Sequence, residues 1–394
     1  MQLDFHYYAT YCAACLSGYS HRESLEICYS AQFVDCCSRI LLRKLKAPLS
    51  AATTQLQMEM MDAPTDLLGC QDITRIWASF HFLPKDLYAP AKKTWSKSYR
   101  DKYRLICGPS GELTEETVKL AKGRSLQAAG IAMHVLADTW AHRYFAGTPS
   151  LVINNVNEYC IELVDEEGDI WERSVRFRHN PSGIDDLWQG IYTSTIMQAQ
   201  EDSVMNLGHG RAGHLPDYSF MRYKYLPAWG DYREILKDNP SDYRNAFCQM
   251  VCAMKYLRGT EETFDKDQCE AAEVKPLEEE IRSILCARRP DASEDWKKLG
   301  ERLSGETIPP FDEERYMEEY ISAGEEEKDK TFLGRFFLSA MAQKSMVTNR
   351  IFSSGNRLAG FSVDFERSGF KGVRDYKKLV EAVHREKLEK ETKE

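Results

Sequence analysis

The sequence predicts a mainly α protein: a multi-helix bundle with a small β-hairpin insertion and a charged helical C-terminal region. Three observations predict it. Apolar residues recur at helical spacing in several long segments of the first 258 residues. One stretch, about 151–180, switches to strand-like alternation around a glycine turn. Beyond Gly259 the composition shifts toward Glu, Lys and Asp.

Residues 5–19 and 23–47 carry the helical period on either side of a Gly-Tyr-Ser turn, which predicts a helical hairpin. Residues 48–110 are broken by Pro48, Pro64, Pro84, Pro90 and Pro109. Thr114, followed by Glu115 and Glu116, is a good helix start, and the pattern then runs to about Phe145. This helix is apolar around Ala128–Ala141 and so should be central. The segment Glu162–Asp165, Glu167-Gly168-Asp169 and Ile170–Phe177 reads as the hairpin inserted over the helical body. Helical pattern is expected again over about 183–207, 240–258 and 332–352, with a glycine-rich stretch at 208–217. The last 20 residues read as a solvated charged helix or tail. A soft boundary near 258 separates a helical metal-binding domain (1–258) from the charged C-terminal region (259–394).

With 52 Lys+Arg against 61 Asp+Glu, the chain carries a net charge of −9. Phosphate-backbone binding needs concentrated basic surface, so duplex DNA is not the expected partner. No apolar run approaches the roughly 20 residues that span a bilayer. The opening Met1-Gln-Leu-Asp-Phe-His6 has no basic or apolar leader pattern. The expected location is cytoplasmic. The 12 cysteines lie mostly in apolar helical pattern. Neither Cys12/Cys15 nor Cys248/Cys252 has a partner pair of zinc-ribbon type, so all are read as reduced packing residues.

The histidines carry the chemistry. Of nine, His21, His179 and His384 lie in polar surroundings that suggest surface. The other six fall in segments that also supply carboxylates: Asp4 with His6, His81 near Asp86, His134 with Asp138 and His142, and His209 with His214 and Asp217. Asp35 adds another carboxylate. In His134-x-x-x-Asp138-x-x-x-His142, each step of four residues turns the side chain by only about 40°. All three groups therefore share one stripe of an otherwise apolar helix. Burying three ionisable groups there is costly unless a cation pairs with them, and imidazole with carboxylate is a zinc-type donor set. His134 and His142 are about 12 Å apart along the axis. That predicts two ions, with Asp138 between them. The bland alternative is an internal hydrogen-bond ladder.

The segments Asp4-Phe-His-Tyr-Tyr8, Gln32-Phe-Val-Asp35, His134–His142 and Gly208-His-Gly-Arg-Ala-Gly-His-Leu-Pro-Asp217 resemble an uncharacterised bacterial domain family over roughly residues 1–255. More distantly, the ligand order is similar to the zinc-dependent phospholipase C and single-strand nuclease superfamily, an all-helical fold with three zinc ions. That resemblance implies a first zinc site of Asp35, His81, His134 and Asp138. It implies a second of His6 and the bridging Asp138, normally completed by the chain's own amino terminus. A third would use His142 with His209 or His214 and Asp217. This chain opens on Met1 where that superfamily has a processed tryptophan, which makes Asp4 a candidate substitute ligand. The shorter Asp138-to-His142 gap and the missing late His-x-x-x-Glu pattern are further departures.

The expected cofactor is therefore zinc, two or three ions. The expected function is hydrolysis of a phosphodiester of phospholipase C or nuclease type, with Asp35 and Asp138 catalytic. A small-molecule, lipid or single-stranded substrate fits the acidic balance. Metal-dependent hydrolysis of an amide or another ester is a second possibility. A non-catalytic protein whose structural metal supports an interaction module is the alternative of a different class.

Overall fold

A computed structural model describes residues 1–62, 67–157, 159–166, 168–179, 183–194 and 201–360. The last 20 residues, read above as a charged tail, and His384 lie outside the described residues.

The chain opens with a π-helical turn, Asp4–Ala9, that runs straight into α1 (Thr10–Leu16). There follow α2 (His21–Phe33), α3 (Arg39–Lys44), α4 (Gln57–Met61), α5 (Leu67–Phe80), α6 (Lys97–Tyr103), α7 (Glu112–Ala121), α8 (Leu126–Ala141) and α9 (Leu151–Asn154). The strands are β1 (Cys160–Glu166), β2 (Asp169–Ser174), β3 (Arg176–Arg178), β4 (Ile191–Thr193), β5 (Arg222–Tyr225) and β6 (Ile235–Asp238). The rest is helical: α10 (Asn239–Arg258), α11 (Glu278–Cys286), α12 (Ser293–Ser304), α13 (Met317–Ser322) and α14 (Phe332–Ser353). Helix predominates, as expected.

Every residue of α8 from Gln127 to Ala141 is buried, the mark of a helix enclosed on all sides. It packs against α2, α10, α7 and α14. The close approach to α2 depends on Gly130, where a Cβ would run into the Ile27 carbonyl and the Ser30 side chain. The chain beyond residue 259 shares this core: Trp296 meets the ring of Phe5, and Phe336 meets Phe33.

The helix expected over about 114–145 is two helices. The chain breaks at Gly123, which has φ +69°, and restarts at Ser125, whose side chain accepts from the Ala128 amide. The hairpin is β1 with β2, turning at Gly168. It belongs to a larger antiparallel sheet in the order β2-β1-β5-β6, with Cys160 opposite Tyr225 and Glu162 opposite Tyr223. The helical expectation over 183–207 is corrected: among the described residues this segment holds β4, paired parallel to β3, and a 3-10 turn at Val204–Asn206. Gly190, at φ +66°, turns the chain there, and buried Tyr192 follows it into the strand. A second apolar cluster, including Phe82, Phe145, Tyr192, Tyr218 and Tyr225, lies under this sheet. No helix of the described residues is long and apolar enough to cross a membrane. All twelve cysteines are free.

Candidate metal centre

The centre sits at the C-terminal half of α8, beside the ring of Phe82 from the second cluster. His134 and Asp138 project from α8 and His142 is its C-cap. His6 comes from the π-helical turn, Asp35 from just past α2, and His81 from just past α5. His209 precedes a 3-10 turn, Gly210–Ala212, and Asp217 follows eight residues later. Gly208, at φ +53°, lets the chain pass against the Phe82 ring, which stacks on His142 at 4.7 Å. Three groups of donors result, each compact enough for one ion: His6, His134 and Asp138; Asp35, His81 and His134; and His142, His209 and Asp217.

Asp138, 1% exposed, joins them. Its Oδ1 lies 3.2 Å from His6 Nε2, and its Oδ2 lies 3.2 Å from His134 Nε2 and 3.3 Å from His81 Nδ1. One carboxylate thus faces two neighbouring groups with different oxygens, the geometry of a bridge. The amine of Met1 donates to Asp138 Oδ1 at 3.0 Å and lies 3.3 Å from both Asp217 Oδ1 and His142 Nε2, linking the third group. Burial alone would lower the pKa of that amine. The carboxylates of Asp138, Asp217 and Asp35 outweigh it and raise it to about 11.

The backbone fixes which nitrogen of each imidazole carries the proton. A carbonyl can only accept, so the ring nitrogen against it must be N–H. His134 Nδ1 donates to the Ala31 carbonyl (2.9 Å) and His81 Nε2 to Thr53 (3.0 Å). His142 Nδ1 donates to His81 (2.7 Å) and His209 Nδ1 to Gly213 (2.7 Å). The opposite nitrogens are therefore lone pairs, and these are the atoms that face the carboxylates and one another. His134 Nε2 and His81 Nδ1 stand 3.3 Å apart with Asp138 Oδ2 beside both. Both ring nitrogens of His6 are buried without a hydrogen bond.

Burial disfavours the protonated form of His6, His81 and His209. It is the largest cause lowering His6 and His209 to about 4, and it lowers His81 as well. Burial pushes Asp138 upward, but positive charge beside it, from a protonated His142, the Met1 amine, or a protonated His134 or His6, holds the carboxyl well below its ordinary range; with the rings neutral, the amine is the charge that remains. Asp217 is likewise held low, by His209 when that ring is protonated and by the amine. Lone pairs converging on buried carboxylates repel unless a cation lies between them. The donor set of neutral imidazole and carboxylate suits zinc or a similar transition metal. These residues could hold metal ions.

Eight of the ten expected residues thus come together: His6, Asp35, His81, His134, Asp138, His142, His209 and Asp217. His214 stands just outside. Its Nδ1 lies 3.2 Å from Asp217 Oδ2, which raises its pKa, and its side chain is 52% exposed. Asp4 belongs to none of the groups: its carboxylate accepts from the Ala292 amide at 3.1 Å, at the start of α12. Residues two apart on a helix face opposite ways, so aiming His6 at Asp138 turns Asp4 away. The Met1 amine stands where Asp4 was expected. Arg211, beside the late histidines, is buried, and its Nε donates to Asn206 Oδ1.

One protein family matches this chain, over residues 1–351, and it is described as a family of unknown function (DUF6765). The chain belongs to it. The match extends well past residue 255, so the family's shared region takes in α11–α13 and nearly all of α14. No curated protein and no solved structure matches the chain, so no link to the phospholipase C and nuclease superfamily is found.

Proposed function

We propose that this protein is a zinc-dependent hydrolase of phosphoric esters, acting on a phosphodiester in a small-molecule, lipid or single-stranded substrate. The carrying observation is Asp138: a wholly buried carboxylate facing two three-donor groups, with a third group joined through the Met1 amine. Neighbouring cations suit a reaction whose negative charge spreads over several oxygens. Zinc bound there would supply Lewis acidity and make a water acidic near neutral pH.

The chain's own residues would do the rest. His6, His81, His134, His142 and His209 would hold the ions through their free nitrogens, in orientations set by backbone carbonyls for all but His6. Asp35 is 34% exposed on its side chain, against 0–5% for His81, His134 and Asp138. It forms the open edge, and a carboxylate there would take the proton from an attacking water. That open edge favours catalysis, since a purely structural zinc is closed off by protein ligands.

The test is elemental analysis of the purified protein followed by assays on phospholipid, single-stranded nucleic acid and an aryl phosphodiester. Two or three zinc ions per chain and chelator-sensitive turnover are expected. Asp35→Ala and His81→Ala should each lower kcat far more than they raise KM. Full metal occupancy without turnover on any of the three would leave the metal as a fold staple. Absence of metal uptake would remove the reading altogether.

A further inference from the structure

We infer that Gln32, Gln55 and Trp77 form a neutral hydrogen-bonding subsite beside the Asp35–His81 end of the centre, and that it receives the hydroxyl groups of a polyol carried by the substrate. This rests on the phosphoester reading of the same centre and names the part of the ester next to the phosphorus.

The run Thr53–Gln57 locates Gln55. At one end the Thr53 carbonyl accepts from His81 Nε2, and the Thr53 hydroxyl donates to the Val34 carbonyl, next to Asp35. At the other end Gln57 Nε2 reaches Met205 Sδ at 3.8 Å, and Met205 lies four residues before His209. Four residues span at most about 14 Å. Gln55 is therefore midway along a short run whose one end meets His81 and whose other end meets the segment before His209. It is 4% exposed, yet neither its Oε1 nor its Nε2 has a hydrogen bond.

Two neighbours share this condition. Gln32, three residues before Asp35, donates to Asp35 Oδ2 at 3.3 Å, while its own Oε1 is buried and unbonded. Trp77 lies one helical turn before His81 with its ring 4.8 Å from the imidazole, and its Nε1 is buried and unbonded. Native proteins seldom leave such atoms unpaired, and each instance calls for an explanation. Three around one end of a metal centre point to a ligand.

The atoms on offer choose that ligand's chemistry. Gln32 Oε1 and Gln55 Oε1 accept; Gln55 Nε2 and Trp77 Nε1 donate. None is charged. A hydroxyl is both donor and acceptor, so adjacent hydroxyls satisfy the set. An acyl chain would leave all of it unpaired, and a quaternary ammonium carries no donor for the two carbonyl oxygens. A stacked nucleobase is disfavoured because the Trp77 ring is already packed against His81 and Phe82.

The experiment is calorimetric titration of the zinc-loaded full chain with glycerol phosphate and with propyl phosphate, which has the same carbon skeleton without the hydroxyls. Glycerol phosphate should bind about 10-fold more tightly or better, the effect of one or two extra hydrogen bonds. Gln55→Leu should bring the two affinities together. It should also leave the melting temperature unchanged or raise it, because an unpaired buried amide is replaced by an apolar side chain of similar size. Trp77→Phe, which removes only the indole N–H donor and part of the ring, is the second variant and should narrow the affinity ratio. Equal affinities in the unmodified protein, a ratio surviving both substitutions, or a several-degree fall in melting temperature for Gln55→Leu would overturn the inference. Binding of neither phosphate would instead overturn the phosphoester reading beneath it.

Discussion

Glu162 and Asp138 are the two most deeply buried carboxylates among the described residues, at 0% and 1% exposure, and they are surrounded in opposite ways. Glu162 Oε2 accepts from Arg173 Nε and Nη2, and its Oε1 accepts from Arg288 Nη2 and the Tyr192 hydroxyl. Every partner brings its own proton, and two bring a full positive charge. That cluster is complete within the protein and ties the sheet to the loop after α11. Asp138 has one such donor, the Met1 amine, and otherwise meets His134 Nε2 and His81 Nδ1, whose rings hold their protons on the far side, and His6 Nε2, whose ring no backbone carbonyl orients. The first carboxylate is neutralised by what the chain supplies; the second belongs to groups that could hold a metal ion. Burial alone does not mark a functional acid. The protonation of its neighbours does.

Asp138→Asn should break this contrast most severely. The amide keeps the volume but removes the charge shared by neighbouring groups. Elemental analysis should show two ions lost together, with phosphodiesterase turnover down by roughly 10²–10³-fold, the scale of losing one preorganised electrostatic group. Loss of a single ion would make Asp138 a terminal ligand. Unchanged metal content would favour a hydrogen-bond ladder along α8. Glu162→Gln is the converse: unfolding in denaturant should show about 3 kcal/mol of lost stability, the low end for a buried ion pair, because two part-buried guanidiniums lose their counter-charge, while metal content stays the same. A fall in metal content there would mean that the two clusters are coupled. The smallest effect belongs to His214→Asn. Removing the outer partner of Asp217 should weaken zinc at the His142 group by about 10-fold in a chelator-competition titration and leave the other ions untouched. A larger loss would make His214 a ligand.

The helical half of the site was legible because periodicity is a strong signal: four-residue spacing put His134, Asp138 and His142 on one stripe, and Asp35 and His81 followed from ligand order. The loop half was less so. Between His209 and His214 no period operates, and only the turn at Gly210–Ala212 and the Gly213 carbonyl decide that His209 faces inward. Asp4 looked as suitable as His6 until the winding of the first turn was known. The Met1 amine has no side-chain signature, and Gln55 reads as an ordinary polar loop residue. In the fold, β5 and β6 are four residues each, too short for alternation to stand out, so the hairpin's membership in a four-stranded sheet was hidden.

The carbonyls of Ala31, Thr53, His81 and Gly213 have a consequence for how this site ages in evolution. What orients four of the five imidazoles is main chain, present whatever residue occupies the position. Substitution at residues 31, 53 or 213 cannot delete the acceptor; it can only move it. The requirement is therefore placed on shape, such as the close passage of α2 over Gly130 that brings the Ala31 carbonyl to His134. Sequences around the centre are free to drift so long as that contour is kept, and a glycine with no donor atom of its own, one turn of α8 before His134, becomes harder to replace than many residues around it.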